Sequence, residues 1–335
     1  MRKCIICFLL AAFILTGCAK KTEDASLPYE NSTIRIAKQF GMQYAPVYVT
    51  AELGLLEKYL PGIKVEWASL GGGSAISEAL IANKLDVAFM GIPPMVIAWD
   101  KGADFKIASG ICVPPSELMV KDPSIKSLSD FKKEHKIAVP SIGSIQHIML
   151  AMACKTYLGN AKALDNNIVP MANPDAFSAL ISGTEVVSHF ASMPYIDKEA
   201  SEGFKSILSG KDAFGDASII CVTSKTFHDN EPILYSIVQK CLAEAICLIN
   251  EQDPRVIEII AKTEKLSADK VVQYLNWPGT NYSTVVYGAM SLSSFMAESG
   301  YITKKPVKSS DLMWDSAAVV VGKRTGNPSA VENIQ

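Results

Sequence analysis

The chain has 335 residues, a length typical of two domains, with 49% apolar residues, 20% charged residues and a formal net charge of −2 at pH 7. Its 32 basic and 34 acidic residues form no basic stripe, which argues against a nucleic-acid partner. After Cys18 there is no further run of about 18 or more apolar residues, so the body of the protein is expected to lie outside the bilayer.

Residues 1–17 are predicted to be a lipoprotein signal peptide. Arg2 and Lys3 precede an apolar run that is shorter than the roughly 20 residues of a membrane-spanning helix. Leu15-Thr16-Gly17-Cys18 follows and resembles the bacterial lipobox, in which the cysteine carries acyl chains. We therefore expect lipidation at Cys18, a flexible tether over residues 18–32, and a location on the extracytoplasmic face of a bacterial membrane. The alternative is a plain secretory peptide with an incidental cysteine.

Strand and helix patterns alternate along most of the chain. The first set predicts strands at 33–40, 63–70, 86–91 and 105–111, with helices at 46–59, 74–83 and 93–101. A second set predicts strands at 117–121, 136–141, 167–172 and 186–192, with helices at 127–134, 144–157 and 174–181, the first of which opens with a capping box from Ser127 to Asp130. After a strand at 218–224, helices are predicted at 231–251, from Pro254 behind the N-cap Asp253, at 268–276 and at 283–299. This alternation indicates an α/β protein with mainly parallel sheets.

Four of the strand-to-helix turns are suited to close contact with a ligand. They are Gly41-Met42-Gln43-Tyr44, Gly71-Gly72-Gly73-Ser74, Gly91-Ile92-Pro93-Pro94 and Ser141-Ile142-Gly143-Ser144. Ligands of open α/β sheets bind beyond the carboxyl ends of the strands, where a helix N-terminus carries about half a positive charge. The alternative is that these residues only cap helices. No phosphate-loop or dinucleotide fingerprint follows Gly73.

Several segments, in the same order, resemble the periplasmic solute-binding proteins of ABC importers, in the group that includes nitrate, aliphatic sulfonate and taurine receptors. The segments are residues 34–36, 44–49, 52–57, 70–74, 79–80, 85–88, 125–131, 136–139 and 143–147. The resemblance implies a two-lobed α/β fold of the type II-like kind, with the ligand cleft between the lobes. Lobe 1 is expected at 33–113 and 223–320, lobe 2 at 114–222, and a C-terminal tail at 321–335. It also implies a small-molecule ligand, an ABC permease with its ATPase as partners, and a monomer.

The predicted ligand-binding residues come from the turns and from the matching positions of the resemblance. They are Gln43, Tyr44, Gly72, Gly73, Ser74, Ile92, Pro93, Ser141, Gly143, Ser144, Gln146, His147, Ser192, Met193 and Trp277. Ser192-Met193-Pro194 departs from the family, which often carries an acidic or aromatic residue before this proline.

The positions of the arginines narrow the expected class of ligand. The four arginines, at positions 2, 35, 255 and 324, all lie outside the turns, so no bidentate clamp for an amino-acid carboxylate is expected. A sulfonate or small oxyanion suits Ser74, Ser144 and backbone donors, whereas a flat neutral heterocycle would stack on Tyr44 or Trp277. A sulfonate, taurine or nitrate is the leading ligand class, and a pyrimidine of the thiamine-precursor type is the alternative.

The sequence gives no sign of catalysis. Histidines 135, 147, 189 and 228 lack zinc-site spacing, and no G-x-S-x-G elbow is present, so we expect no metal, no cofactor and no catalytic residue. The cysteine-rich iron motif of the related pyrimidine-precursor synthases is missing, which leaves an enzyme as a distant alternative. A structural lipoprotein would need repeats or a large exposed apolar patch. After Cys18, cysteines 112, 154, 221, 241 and 247 are predicted to be small buried hydrophobes without disulfides.

Overall fold

The computed structural model describes residues 29–30, 32–183, 185–315, 317 and 319–320. The predicted signal peptide, Cys18, most of the predicted tether and the tail at 321–335 lie outside these residues. The described strands are β1 (Thr33–Lys38), β2 (Lys64–Ser69), β3 (Val87–Gly91), β4 (Lys106–Cys112), β5 (Ser116–Val120), β6 (Lys136–Val139), β7 (Ile168–Pro170), β8 (Val186–Ser192), β9 (Lys205–Ser209), β10 (Ile219–Thr223), β11 (Val286–Tyr287) and β12 (Val319–Val320).

The helices lie between and after these strands. The α-helices are α1 (Ala45–Glu52), α2 (Leu55–Tyr59), α3 (Gly73–Ile81), α4 (Ile92–Asp100), α5 (Ile145–Leu158), α6 (Asn173–Ser182), α7 (Tyr195–Ser201), α8 (Gly210–Ala213), α9 (Lys225–Asn230), α10 (Pro232–Asn250), α11 (Pro254–Glu264), α12 (Ala268–Leu275) and α13 (Ala289–Glu298). Short 3₁₀ turns occur at Met42–Tyr44, Leu128–Asp130, Asp165–Asn167 and Ser309–Asp311.

Two five-stranded sheets form the frame of two lobes. The lobe 1 sheet has the order β2-β1-β3-β10-β4, in which β1, β2 and β3 are parallel and β10 is antiparallel to both of its neighbours. The lobe 2 sheet has the order β7-β6-β8-β5-β9, with β5 antiparallel to β8 and β9. The carboxyl ends of the parallel strands are followed by helices, as the alternating sequence pattern predicts. The expectation of mainly parallel sheets is wrong, because each sheet has two parallel and two antiparallel pairings.

The chain passes from lobe 1 to lobe 2 between β4 and β5, close to the predicted position. It returns earlier than predicted, because β10 pairs with β3 and β4 in lobe 1 although residues 219–222 were expected in lobe 2. All five residues of β10 are buried, since the strand lies between β3 and β4 and is covered on both faces of the sheet.

The predicted helix at 127–134 is wrong beyond its first turn. The capping box of Ser127 and Asp130 is present, but it closes only a 3₁₀ turn. Leu128 is the one buried residue of that turn, so a longer helix would have no apolar face to bury.

Two further predicted helices are shorter than expected because of left-handed residues. Gly54, with φ of 57°, separates α1 from α2. Gly288, with φ of 84°, precedes α13, so the segment before it forms β11 and not the first part of a long helix. Both glycines hold a conformation that other residues adopt only with strain.

Helix α10 is the one described helix long and apolar enough to cross a membrane by length and composition. Its buried residues recur every three or four positions, which is the pattern of a core helix: Leu234, Val238, Cys241, Leu242, Ala245 and Ile249. This stripe belongs to the hydrophobic core that also contains residues of α1 and α2. Cys247 of the same helix is exposed, so the prediction that all five later cysteines are buried is wrong at this position.

The two faces of α10 should respond differently to truncation. Ile249 is 1% exposed and Ile233 is 58% exposed. We expect Ile249→Ala to lower the free energy of unfolding by about 2–5 kcal/mol, because the lost side chain leaves a cavity. Ile233→Ala should change it by less than about 0.5 kcal/mol. Chemical denaturation of both variants measures the difference, and equal destabilisation would contradict this packing of α10.

Candidate ligand-binding cleft

A cleft lies between the lobes, at the carboxyl ends of the parallel strands. Its cavity volume is only about 20 Å³, within about 420 Å³ of non-atom space that includes open solvent, so the lobes leave little room between them. It is lined by Gln39, Phe40, Gln43, Tyr44, Gly71, Gly73, Gly91, Pro94, Pro140, Ser144, Ile145, Gln146, Asn173 and Ile219. Of the predicted ligand-binding residues, the lining therefore includes Gln43, Tyr44, Gly73, Ser144 and Gln146.

Several helices begin at this cleft. Tyr44 precedes α1, Gly73 opens α3, Gly91 is the N-cap of α4, Ser144 is the N-cap of α5, and Asn173 opens α6. The first N–H groups of a helix have no partner within it, and the helix dipole places partial positive charge there.

The described lining contains no Asp, Glu, Lys, Arg or His. The arrangement is therefore suited to a ligand group that accepts hydrogen bonds and carries negative charge, without full ion pairing. The two described arginines lie elsewhere: Arg35 pairs with Asp86, and Arg255 pairs with Asp253.

The glycines of these turns allow the two lobes to touch. A Cβ on Gly72 of lobe 1 would lie 2.5 Å from the carbonyl oxygen of Pro140 in lobe 2. A Cβ on Gly91 would lie 3.0 Å from the Cβ of Ile145, and one on Gly143 would overlap the Ile97 side chain. Close approach of the lobes thus explains these glycines, a role that differs from both ligand contact and helix capping.

A hydrogen bond reinforces this contact. Ser74 Oγ donates to the carbonyl oxygen of Ile142 at 3.2 Å, so Ser74 joins the lobes and does not line the cleft. The hydroxyl of Ser141 is buried and has no hydrogen-bond partner in the described structure.

The start of α5 is held by a buried histidine. Ser144 Oγ accepts from the backbone N–H of His147 at 3.3 Å, and the Gly143 N–H donates to His147 Nδ1 at 2.9 Å. With Nδ1 accepting, Nε2 carries the proton and donates to Asp165 Oδ1 at 3.2 Å, an oxygen to which Tyr301 also donates. Burial alone would raise the pKa of Asp165, but these hydrogen bonds outweigh it and the pKa is lowered. His147 supports the turn and does not line the cleft.

A second set of contacts joins the lobes at the end of β8. The Met42 N–H donates to the carbonyl oxygen of Met193 at 3.1 Å, and Ser192 Oγ donates to Gln43 Oε1 at 3.3 Å. Ser192 is fully buried and Met193 is 2% exposed, and neither is among the residues that line the cleft. The peptide bond between Met193 and Pro194 is cis.

The structure places Trp277 outside the lining of this cleft. It lies beside a different cavity of about 260 Å³ near the crossover between the lobes, with its ring edge-to-face to Tyr274 at 6.3 Å. Ile92 and Pro93 are buried in the first turn of α4, and the neighbouring Gly91 and Pro94 line the cleft in their place. An aromatic residue or a proline in a sequence does not show which face of its turn it will occupy.

Sequence reasoning missed several lining residues. Gln39 and Phe40 directly follow β1, and Asn173 directly precedes Pro174 at the start of α6. The rule that ligands bind beyond the carboxyl ends of strands would have found both places, but neither contains the glycine signal that was used. Pro140, Ile145 and Ile219 were also missed, whereas Gly71, Gly91 and Pro94 lie in the predicted turns but were not chosen as ligand-binding residues.

Residues 28–255 match the sequence profile of the NMT1-like family, which is more than half of the chain. The chain belongs to this family. A Bacillus subtilis (strain 168) relative, named as a candidate aliphatic sulfonates-binding protein, is 32% identical over 109 residues. That match spans 32% of each protein, so it covers about a third of the relative.

Solved structures show the same fold. The alkanesulfonate-binding protein SsuA from Xanthomonas axonopodis pv. citri, bound to MOPS, gives a TM-score of 0.71 at 18% identity and covers 87% of this chain and 99% of that one. The periplasmic aliphatic sulphonate binding protein SsuA from Escherichia coli gives 0.66 at 24% identity, with 84% and 97% covered. The predicted family and the two-lobed periplasmic-binding-protein fold are thereby confirmed. The Bacillus subtilis relative and these two structures are named as binding proteins.

The contact at Gly72 should control how closely the lobes approach. In Gly72→Ala the new methyl group meets backbone atoms of lobe 2, so we expect the lobes to open and the radius of gyration to rise in small-angle X-ray scattering. Gly71→Ala is the matched control, because its Cβ would lie at an ordinary 3.6 Å from the Ala172 Cβ. A Gly72→Ala protein as compact as the control would contradict this account of the turn.

Proposed function

We propose that this protein is the extracytoplasmic, lipid-anchored receptor of an ABC importer, and that it captures a small sulfonate, taurine or nitrate-type solute between its lobes. In this role it acts as a monomer and delivers the solute to a membrane permease with a cytoplasmic ATPase. Family membership and the fold of alkanesulfonate-binding proteins support the proposal.

The observation that carries the ligand class is the convergence of helix N-termini on an uncharged cleft. A sulfonate has three acceptor oxygens and one diffuse negative charge. Backbone N–H groups at the helix starts, with Ser144 and the amides of Gln39, Gln43, Gln146 and Asn173, offer donors for such a group. The negative charge is then stabilised by helix dipoles, without the desolvation of a cationic side chain.

One observation also favours the alternative ligand, a pyrimidine. The lining is rich in amides and includes the aromatic residues Phe40 and Tyr44, and this combination suits a flat heterocycle with donor and acceptor edges. The two classes differ in one property, since a sulfonate head group offers only acceptors, whereas a pyrimidine edge offers both donors and acceptors. Measuring which compounds bind therefore distinguishes the two ligand classes.

A thermal-shift panel of ethanesulfonate, taurine, nitrate and cytosine tests the ligand class. A ligand that binds only the folded protein, at 100 times its dissociation constant, adds about 2.7 kcal/mol of stability. We expect a sulfonate to raise the melting temperature by several degrees. If cytosine alone raises it, the alternative replaces the proposal, and steady turnover of a bound compound would favour an enzyme.

The variant Ser144→Asp tests whether the sulfonate binds in the cleft. Asp is a good N-cap, so the melting temperature without ligand should stay nearly unchanged, while its charge should lower sulfonate affinity at least tenfold. Ser267→Asp is the matched control, because Ser267 caps α12 in the same way but does not line the cleft. Calorimetry that finds equal affinity in both variants would remove Ser144 from the site.

The anchor is tested by Cys18→Ser. We expect the variant to appear in the soluble fraction with an unchanged melting temperature, because the lipobox cysteine would no longer carry acyl chains. Fractionation of cells that express either form measures this. Membrane association that persists in the variant would exclude lipidation at Cys18.

A further inference from the structure

A chain of buried polar side chains leads from the interior of lobe 2 to the cleft. His189 on β8 and Glu199 on α7 are both 0% exposed, and their Nδ1 and Oε1 atoms are 2.6 Å apart. His189 Nε2 lies 3.2 Å from Asn173 Oδ1. Asn173 Nδ2 lies 3.4 Å from Ser192 Oγ, which lies 3.3 Å from Gln43 Oε1. Asn173 and Gln43 line the cleft from opposite lobes.

The direction of these hydrogen bonds is fixed at the lobe 1 end. Gln43 lies 3.3 Å from the backbone carbonyl oxygen of Phe40, which can only accept, so the Nε2 atom of Gln43 must face it. Gln43 Oε1 then requires a donor, and the Ser192 hydroxyl supplies it. Since that hydroxyl donates its one proton to Gln43, it can only accept from Asn173, whose Nδ2 must face it.

The same reasoning fixes the protons of the histidine. Asn173 presents Oδ1 to His189, so His189 Nε2 must carry a proton and donate it. The short contact between Nδ1 and Glu199 Oε1 also requires a proton, which the two groups share. The other carboxyl oxygen, Glu199 Oε2, is buried and has no hydrogen-bond partner in the described structure. The residues paired with His189 on the flanking strands, Met119 and Ala138, supply no competing donor or acceptor side chain.

We infer that the His189–Glu199 pair is a positioning device that fixes the amides of Asn173 and Gln43 with their N–H₂ groups available to the cleft, so that the site selects a ligand head group that only accepts hydrogen bonds. Each of these amides uses one N–H within the chain of bonds, and its second N–H has no partner among the described residues. The ligand class in this inference rests on the proposed function, but the proton on His189 Nε2 does not.

Loss of the proton on His189 Nε2 would change the direction of the hydrogen bonds as far as the cleft. If Nε2 lost its proton, it would face Asn173 Oδ1 with a lone pair, and the Asn173 amide would have to turn over. Ser192 would then face an acceptor, and its bond to Gln43 would be lost, together with one of the contacts that join the lobes. A donor-bearing heterocycle would gain a partner in the reversed state, whereas a sulfonate would lose one.

Nuclear magnetic resonance of the full folded chain without ligand tests the proton directly. The ¹⁵N shifts of the His189 ring distinguish a protonated from an unprotonated Nε2, with assignment by comparison with His189→Gln. We expect a protonated Nε2 near neutral pH. The same state is expected in Glu199→Gln, whose amide can donate to Nδ1. An unprotonated Nε2 in the wild-type protein would overturn the inference, whatever ligand the protein binds.

A pair of variants at position 189 tests the effect on selectivity. Gln can still donate to Asn173, whereas Met has a similar length and no donor. Using ethanesulfonate and cytosine as probes in calorimetry, we expect His189→Met to lower the affinity ratio of ethanesulfonate to cytosine at least tenfold. His189→Gln should keep the ratio within about threefold of wild type.

The outcomes of the two experiments are separable. Equal affinity ratios in the two variants would mean that His189 has only a structural role, since loss of packing alone changes both affinities together. If wild type binds neither probe, the proposed ligand classes fail, and the protonation state measured without ligand still decides whether the histidine orients the cleft amides.

Discussion

The structure depends on the close approach of two backbones, that of the Gly71-Gly72-Gly73 turn in lobe 1 and that of Pro140 and Ser141 in lobe 2. No side chain fits between them at Gly72, so the turn that starts α3 and the turn that precedes α5 meet almost directly. Their separation sets the distance between the helix N-termini on the two walls of the cleft. The size of the group that these N-termini can hold together follows from that distance.

Under the proposed function, this contact lets a cleft without charged side chains suit an anion. Helix ends are weak partial charges that act over a short range, so they must be brought near one another to have a useful combined effect. A cleft with arginine or lysine would tolerate a looser fit, since a full charge acts further. The neutral lining makes affinity depend on geometry, and the hydrogen bonds between Gln43 and Ser192 and between Ser74 and Ile142 hold that geometry.

Much of the fold could be predicted from the sequence, because strand and helix patterns are local. Strand β8 was predicted with its observed limits, and the capping of α11 by Asp253 before Pro254 also agrees with the structure. Helices α7 and α9 were missed because they are short and are stabilised by packing. The position of β10 could not be derived, since sheet pairing is a contact between distant parts of the chain.

Less of the candidate site than of the fold could be predicted from the sequence, because its contacts also join distant parts of the chain. The glycine turns were found, but their contact across the lobes joins residues far apart in sequence. Trp277 looked like a stacking residue because its type is common in binding sites, yet its place depends on how α12 packs. His189 gave no signal at all, since its partners Asn173 and Glu199 lie on two other elements with no common spacing.

The crossover between the lobes has a consequence for how such a molecule can diversify. The strand that leaves lobe 1 and the strand that returns to it are neighbours, with Cys112 at the end of β4 paired with Ile219 at the start of β10. Lobe 2 therefore begins and ends at adjacent points, and the intervening segment is an insertion with closely spaced ends. Lobe 2, which forms one wall of the cleft, can therefore change in sequence or be replaced as a unit, while the lobe 1 sheet keeps its strand order.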